Sequence, residues 1–230
     1  YRHQPENMAA VPVAAREATQ RAYFDILRRH ASLEGEYLEL GPDIGLFVRL
    51  CAEKGRFSNL HLFEPNRDVH WALAECLAGQ SIHISRDPYQ RGILPKGSLS
   101  TVVLIHVLDH LIDPAGLLRD LYDDLAPGGT VFIVTHDEAS LLARLLGKRW
   151  PPYALQHPQL FSCHTIKQLL ERCSFVVLES TKTRNYFPVM HLVRSFLTIF
   201  GLESLAPRFD HPLTLSLRLG NIATVARKAP

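Results

Sequence analysis

The 230-residue sequence has few of the features that mark secreted, membrane-spanning or zinc-binding proteins. It has four cysteines, and none has the C-x-x-C or Cys/His spacing of a zinc site: Cys51, Cys76, Cys163 and Cys173. No secretory signal is visible, and no apolar run reaches the roughly 18 residues of a membrane span. We therefore predict a cytoplasmic protein with reduced thiols and no metal site.

The sequence also lacks a strong charge of either sign. Lys and Arg number 25 against 23 Asp and Glu, so the net charge is +2. The basic residues are scattered apart from short pairs such as Arg28-Arg29, which suit a solvated helix surface better than a phosphate-binding stripe. Nucleic acid is therefore not an expected partner.

Strand-like and helix-like hydrophobic patterns alternate along the chain. Short apolar runs predict strands at residues 36–40, 60–63, 82–84, 101–105, 131–134, 175–178 and 222–226. Helical spacing predicts helices at about 14–31, 47–52, 69–77, 116–125 and 165–173. This alternation predicts an α/β fold with a doubly wound, mostly parallel sheet of seven strands and helices on both faces.

We expect one domain over residues 1–230, since a chain of this length can bury a single core. Its parts would be an N-terminal helix (about 14–31), a ligand-binding core (about 35–137) and a C-terminal part (about 138–230). The apolar segment 186–202 is predicted as a helix that packs on the domain or covers a pocket. A lipid-facing surface is the less favoured interpretation of that segment.

The loop after the first strand, E-L-G-P-D-I-G at 39–45, is where an open α/β sheet binds its ligand. A dinucleotide fingerprint needs glycines at offsets zero, two and five. Counting from Gly41, those offsets hold Asp43 and Leu46, and a carboxylate in the turn would repel a pyrophosphate. A nucleotide-dependent oxidoreductase is therefore disfavoured.

Two acidic residues end the first two strands and predict a different ligand. Glu39 suits a cationic group, and Glu64 can accept hydrogen bonds from both hydroxyls of a ribose. A ligand with an adenosine and a positive centre but no phosphate fits this loop, and S-adenosylmethionine is such a molecule.

The loop resembles motif I of the class I S-adenosylmethionine-dependent methyltransferases. Glu39, Gly41 and Gly45 match that motif, and Asp43 stands where the middle glycine is usually found. The stretch F-E-P-N at 63–66 is similar to motif II.

Further segments resemble the small-molecule, ubiquinone-type subgroup of that superfamily. They are V-L-D-H-L-I-D-P at 107–114, L-A-P-G-G-T at 125–130, and the pattern from His157 through F-S at 161–162 to F-V-V at 175–177. The resemblance spans about 35–180 and the last strand. It implies a Rossmann-like fold, S-adenosylmethionine as methyl donor, S-adenosylhomocysteine as product and a small-molecule acceptor that could be lipophilic.

The resemblance also implies which residues bind the cofactor: Glu39, Gly41, Pro42, Asp43, Gly45, Glu64, Pro65, Asn66, Asp87, His106 and His110. The glycines would let the backbone pass close to the cofactor. Asp87 would lie near the adenine amino group or be a surface residue. His106 would contact cofactor or acceptor or be a core histidine, and His110 would bind the cofactor or fix a turn.

Methyl transfer needs little catalytic machinery, because the cofactor is already activated and the protein mainly orients the reactants. A base is needed only if the acceptor must lose a proton. His157 is the first candidate for that base and His106 a second catalytic candidate. His136, His164 and Tyr153 are weaker candidates.

A protein that keeps this fold but serves as a non-catalytic partner subunit is the alternative function. Asp43 in the glycine loop favours it, while Glu39, Glu64 and the Asp109-His110 segment argue against it. The acceptor itself is not encoded in any motif that we can identify.

Overall fold

The computed structural model describes residues 11–207, 209 and 211–229. The strands are β1 Glu34–Leu40, β2 Arg56–Phe63, β3 Ile82–Ser85, β4 Leu99–Ile105, β5 Leu125–His136, β6 Phe175–Lys182, β7 Asn185–Pro188, β8 Thr214–Leu217 and β9 Asn221–Lys228. The α-helices are α1 Val13–Leu27, α2 Leu46–Lys54, α3 His70–Cys76, α4 Pro114–Asp124, α5 Leu141–Leu146, α6 Cys163–Arg172 and α7 Val189–Ile199. Single 3-10 turns lie at Arg67–Val69, Leu108–His110, Gly147–Arg149 and Glu203–Leu205.

Seven strands form one sheet in the order β3-β2-β1-β4-β5-β9-β6. The pairs among β1 to β5 are parallel, and β9 runs antiparallel to both β5 and β6. The order reverses between β1 and β4, which places a ligand crevice beyond the carboxyl ends of these strands. This confirms the predicted doubly wound, mostly parallel seven-stranded sheet.

Apolar side chains cover both faces of the sheet. On one face Leu118 of α4 and Ile166 of α6 pack against Val102 and Leu104 of β4. On the other, residues of α1, α2 and α3 pack against Val103 of β4 and strands β1, β2 and β5. Burial on two faces explains why residues 102–105 of β4 form a continuous apolar run and not an alternating one.

The predicted helix 116–125 starts earlier and ends one residue sooner, at Pro114–Asp124. Asp113 caps it, because its Oδ1 accepts a hydrogen bond from the backbone N–H of Gly116 at 2.8 Å. Leu125 belongs instead to β5, where it pairs with Leu99. The register then shifts so that Thr101 pairs with Thr130, and the P-G-G turn at 127–129 lies in this irregularity.

The segment 186–202 is only partly the predicted helix. Its first residues form β7, which pairs with β8 in a separate two-stranded sheet that was not predicted from the sequence. Helix α7 follows and has no buried residue. The Thr19 hydroxyl of α1 accepts a hydrogen bond from the Tyr186 backbone N–H at 2.9 Å, so this two-stranded sheet contacts the N-terminal helix. No helix in the described part of the chain is long and apolar enough to cross a membrane.

Candidate functional site

The glycine loop is held at the ends of β1 and β2 by two backbone hydrogen bonds. The Gly41 N–H donates to the Phe63 carbonyl at 2.8 Å, and the Gly45 N–H closes a turn onto the Pro42 carbonyl at 2.9 Å. Asp43 has a φ of 52°, in the left-handed region. Aspartate is one of the few residues other than glycine that enter this region readily. Asp43 can therefore keep the loop geometry that the resemblance expects of a glycine.

Asp43 also joins the glycine loop to helix α1. Its Oδ2 is 2.6 Å from a guanidinium nitrogen of Arg16. The Arg16 side chain is only 16% exposed, whereas that of Asp43 is 57% exposed. Asp43, which stands in place of the usual middle glycine, is thus ion-paired with Arg16, and Arg16 lies before the stretch 35–180 that carries the resemblance.

Gly45 has a second reason to be a glycine. Its φ is 81°, and a Cβ there would lie 2.7 Å from both the Leu73 Cδ1 and the Cys76 Sγ of α3. A side chain at Gly41 would approach Val107 Cγ2 at 3.0 Å. A side chain at either position would therefore crowd neighbouring side chains of the protein. The contact of these glycines with a cofactor stays a prediction.

The Glu64 carboxylate ties the glycine loop to the loop after β2. Its Oε2 accepts the Asp43 backbone N–H at 3.0 Å, and its Oε1 accepts the Asn66 backbone N–H at 2.8 Å. His70 bonds the Glu64 carbonyl at 2.7 Å. Each carboxylate oxygen has a further lone pair, so the group is oriented and still able to accept ribose hydroxyls.

Glu39 lies at the end of β1 and is only 2% exposed. The Tyr37 hydroxyl donates to its Oε2 at 2.6 Å. Burial raises the pKa of Glu39 from 4.5 to about 8; the Tyr37 hydrogen bond opposes the rise and the Glu64 carboxylate adds to it. Within the described ranges neither Glu39 nor Glu64 has an ion-pair partner, so two carboxylates share this crevice without a balancing cation.

Asp87 follows β3 at the margin of the site and is exposed. It borders an open cleft of about 430 Å³ whose lining is Arg67, His70, Ile84, Ser85, Arg86 and Asp87. Pro65 and Asn66 follow Glu64 in the loop after β2, and Asn66 caps the turn Arg67–Val69, whose Arg67 lines the cleft. A role for Asp87 beside adenine stays a prediction.

Two histidines and an aspartate meet where β4 and β5 end. The rings of His106 and His136 have centroids 4.7 Å apart. The turn Leu108–His110 folds Asp109 under them, with its Oδ2 4.0 Å from His106 Nδ1 and 3.7 Å from His136 Nε2. Burial alone would raise the pKa of Asp109, but the imidazoles of His106, His136 and His110 outweigh it and hold that pKa well below its usual range.

His157 and His110 extend this group toward the loop after α5. Their ring centroids are 4.5 Å apart, and His157 lies 5.0 Å from His136. The Pro152 carbonyl accepts from His157 Nδ1 at 2.9 Å, and the Gln156 carbonyl accepts from His110 Nδ1 at 2.8 Å. His157 therefore presents Nε2 as its acceptor nitrogen when neutral, and burial beside His110 lowers its pKa.

A family model described as a methyltransferase domain matches residues 15–180 of this sequence. The chain belongs to this methyltransferase family. The match covers the glycine loop, Glu39, Glu64 and all four clustered histidines. No curated protein gives a match.

Solved structures that resemble this methyltransferase-family chain agree with its fold. The S-adenosylmethionine-dependent methyltransferase of Mesorhizobium loti has a TM-score of 0.62 and 18% identity, covering 90% of this chain and 97% of that one. The S-adenosylmethionine-dependent methyltransferase of Aquifex aeolicus has a TM-score of 0.66 and 11% identity, covering 99% and 100%. The [4+2]-cyclase SpnF has a TM-score of 0.63 and 14% identity, covering 91% and 80%. At these identities the likeness shows the Rossmann-like methyltransferase fold and not the reaction.

The predicted site residues of this methyltransferase-family chain fall into two groups at one edge of the sheet. The loops after β1, β2 and β3 hold the predicted cofactor ligands from Glu39 to Asp87. The ends of β4 and β5 hold His106 and His110, together with His157 from a later loop.

Three residues of the histidine group were not predicted from the sequence. Asp109 is the buried partner of the histidines, Trp150 packs on His136, and Asn221 bonds to that ring. The adjacency of β4 and β5 was the available signal, because residues that follow neighbouring parallel strands meet at one edge.

Proposed function

We propose that this chain is an S-adenosylmethionine-dependent methyltransferase that methylates a small lipophilic molecule. Its membership of the methyltransferase family and the S-adenosylmethionine dependence of solved proteins with the same fold support the proposal. The methyl acceptor would approach from the side of the clustered histidines.

The observation that carries the proposal is the pair of buried carboxylates at the ends of β1 and β2. Glu39 and Glu64 lie on either side of the glycine loop and lack a cationic partner among the residues that the structure describes. A ligand with a positive centre and a ribose would supply that charge and use the oriented Glu64 oxygens. The two carboxyl groups therefore fit S-adenosylmethionine better than a nucleotide with phosphates.

S-adenosylmethionine, when bound, supplies a methyl group already activated on sulfur. The acceptor lone pair would form the new bond to the methyl carbon, while the carbon–sulfur bond breaks and its electron pair stays on sulfur. An acceptor hydroxyl must lose its proton as it is methylated, and a neutral amine nitrogen that becomes positively charged on methylation must then lose a proton. His157 Nε2 is suited to take it, since its Nδ1 is held by the Pro152 carbonyl.

The C-terminal segment favours a lipophilic acceptor. Val193 and Phe196 of α7 and Phe200 directly after it are exposed, at the spacing of one helix face. The Arg149 guanidinium lies 5.7 Å from the Phe200 ring centroid, and the next residue, Trp150, packs on His136. An exposed apolar surface thus adjoins the acceptor side of the crevice, as is expected where an apolar ligand enters.

A methyl-transfer assay tests this function. Purified protein is incubated with S-adenosylmethionine carrying a labelled methyl group and a panel of lipophilic phenols and amines, and label is measured after extraction into organic solvent. We expect transfer by the wild type and by Glu75→Gln, whose carboxylate is exposed and outside the site, and at least tenfold less transfer by Glu64→Ala at a cofactor concentration below saturation. Cofactor binding without transfer to any acceptor would favour the non-catalytic partner subunit instead.

A further inference from the structure

Three side chains at the ends of β4 and β5 form a second potential ligand set, separate from the carboxylates of the glycine loop. They are His106, Asp109 and His136, and one donor atom from each lies within 4.8 Å of the others. We propose that they bind a divalent transition-metal ion such as Zn²⁺.

The distances suit a metal ion after a small contraction. Asp109 Oδ2 is 4.0 Å from His106 Nδ1 and 3.7 Å from His136 Nε2. These separations are longer than a direct hydrogen bond. A zinc ion bonds imidazole nitrogen and carboxylate oxygen at about 2.0–2.2 Å, which places its ligand atoms roughly 3–3.5 Å apart. Each donor atom would therefore move by less than about 1 Å.

Two buried atoms of this group that could ligate a metal have no hydrogen-bond partner among the described residues. Asp109 is fully buried, and its Oδ1 has no hydrogen-bond partner in the described part of the chain. His106 Nδ1 is likewise buried without a hydrogen bond among the described residues. Leaving such groups unsatisfied is costly, and a metal ion that draws in the carboxylate and both rings would remove that cost.

The orientation of His136 adds an independent argument. Its Nδ1 lies 3.2 Å from Asn221 Oδ1, an oxygen that can only accept, so the ring proton sits on Nδ1. The lone pair of Nε2 then faces the Asp109 carboxylate. Two acceptors that face each other call for a cation between them.

Asn221 supplies the outer support that metal-binding histidines usually have. Its Oδ1 lies 3.2 Å from His136 Nδ1, and its Nδ2 lies 3.3 Å from His106 Nε2 and donates to the buried Tyr23 hydroxyl at 3.1 Å. Because Nδ2 can only donate, His106 Nε2 accepts from it in the ion-free protein and the His106 proton sits on Nδ1. Binding of the ion through His106 Nδ1 would move that proton to Nε2, so the contact with Asn221 Nδ2 would be lost and Nε2 would donate to water instead, since the side chain is 29% exposed.

The ion would have a use only if the proposed methyl transfer is correct. Three protein ligands leave a coordination position open on the acceptor side. An acceptor oxygen bound there would lose its proton more easily, and His157 lies beside His136 to receive it. The site would then select acceptors with a hydroxyl group that can reach the metal.

Cobalt titration tests the metal site without relying on activity. Full-length protein is stripped with a chelator and titrated with Co²⁺, whose visible absorption reports coordination, and bound Zn²⁺ is counted by mass spectrometry. We expect one ion per chain with a dissociation constant in the micromolar range or tighter. Asp109→Asn and His136→Gln should each weaken binding by roughly 100-fold or more.

Two controls distinguish binding at these three residues from metal binding elsewhere on the chain and from loss of folding. His83→Gln removes an exposed histidine on β3 and should leave Co²⁺ binding unchanged. Circular dichroism and S-adenosylmethionine titration on the same samples show whether each variant is folded, and they test the proposed function separately. Folded wild type without stoichiometric metal, or binding that survives both ligand substitutions, would overturn the proposal even if S-adenosylmethionine binds.

Discussion

Binding of S-adenosylmethionine should release a proton from Glu39. Burial holds the pKa of this carboxyl at about 8, so the free protein carries it largely protonated at neutral pH. A cation bound beside it favours the ionised form and lowers that pKa. At pH 7 about 0.9 of a proton should leave for each cofactor bound, and at pH 9 only about 0.1.

Isothermal titration in two buffers measures this release. The wild type is titrated at pH 7 in phosphate and in Tris, whose ionisation enthalpies differ, and the difference in binding heat gives the number of protons released. Glu39→Gln is the matched variant, because it keeps the size and the acceptor for Tyr37 but cannot ionise. Subtracting its result removes protons exchanged by the ligand's own amino group.

The affinity should follow the same linkage. Below pH 8 the wild type must deprotonate Glu39 to bind, so its affinity should fall by up to about tenfold for each pH unit. Equal heats in both buffers, or the same buffer dependence in Glu39→Gln, would refute the assignment of Glu39 as the residue that meets the cation.

Four further outcomes follow from the structure. The raised pKa of Glu39 means that its ionisation favours the unfolded chain between about pH 4.5 and 8. In urea unfolding, the free energy of unfolding of the wild type should therefore fall over this range relative to that of Glu39→Gln, by on the order of 5 kcal/mol above pH 8. Gly45→Ala should lower the free energy of unfolding by about 2 kcal/mol, since φ is 81° and Leu73 lies in the way. Asp43→Gly should be near neutral in a thermal melt, whereas Asp43→Val should lower stability by about 1–2 kcal/mol, and equal melts would contradict the role given to its φ. With a hydroxyl acceptor, His157→Gln should lower kcat by roughly 100-fold or more while cofactor binding by titration stays unchanged.

The sheet could be predicted because its strands are strongly patterned. Buried runs such as 101–104 and the regular alternation of strands with helices are typical of a doubly wound α/β fold. The end of α4 was placed one residue late because Leu125 is apolar in either a helix or a strand. Only its pairing with Leu99 assigns Leu125 to β5, and that pairing cannot be predicted from the sequence pattern.

The two-stranded sheet of β7 and β8 could not be predicted from the local sequence pattern. Its strands are four residues long, lie on either side of α7 and are joined by backbone hydrogen bonds that leave no periodic signal. Strand β7 ends at Pro188, directly before α7, and a proline fits the start of a helix as well as the end of a strand.

Of the candidate site, the carboxylate pair was predictable from the sequence and the histidine group was less so. Glu39 and Glu64 follow consecutive parallel strands, so their proximity follows from the fold. The position of Asp109 beside the histidines could not be predicted from its motif, because its burial depends on a 3-10 turn beyond β4. The position of His157 depends on the Pro152 carbonyl, and no spacing rule in the sequence encodes that contact.

The most direct test of the cofactor site is isothermal titration of S-adenosylmethionine into the folded wild type and into Glu64→Ala. We predict micromolar binding by the wild type, with S-adenosylhomocysteine also bound, and at least tenfold weaker binding by the variant because two ribose hydrogen bonds are lost. Absence of binding by folded wild type, or equal binding by the variant, would contradict the assignment of this crevice as the cofactor site.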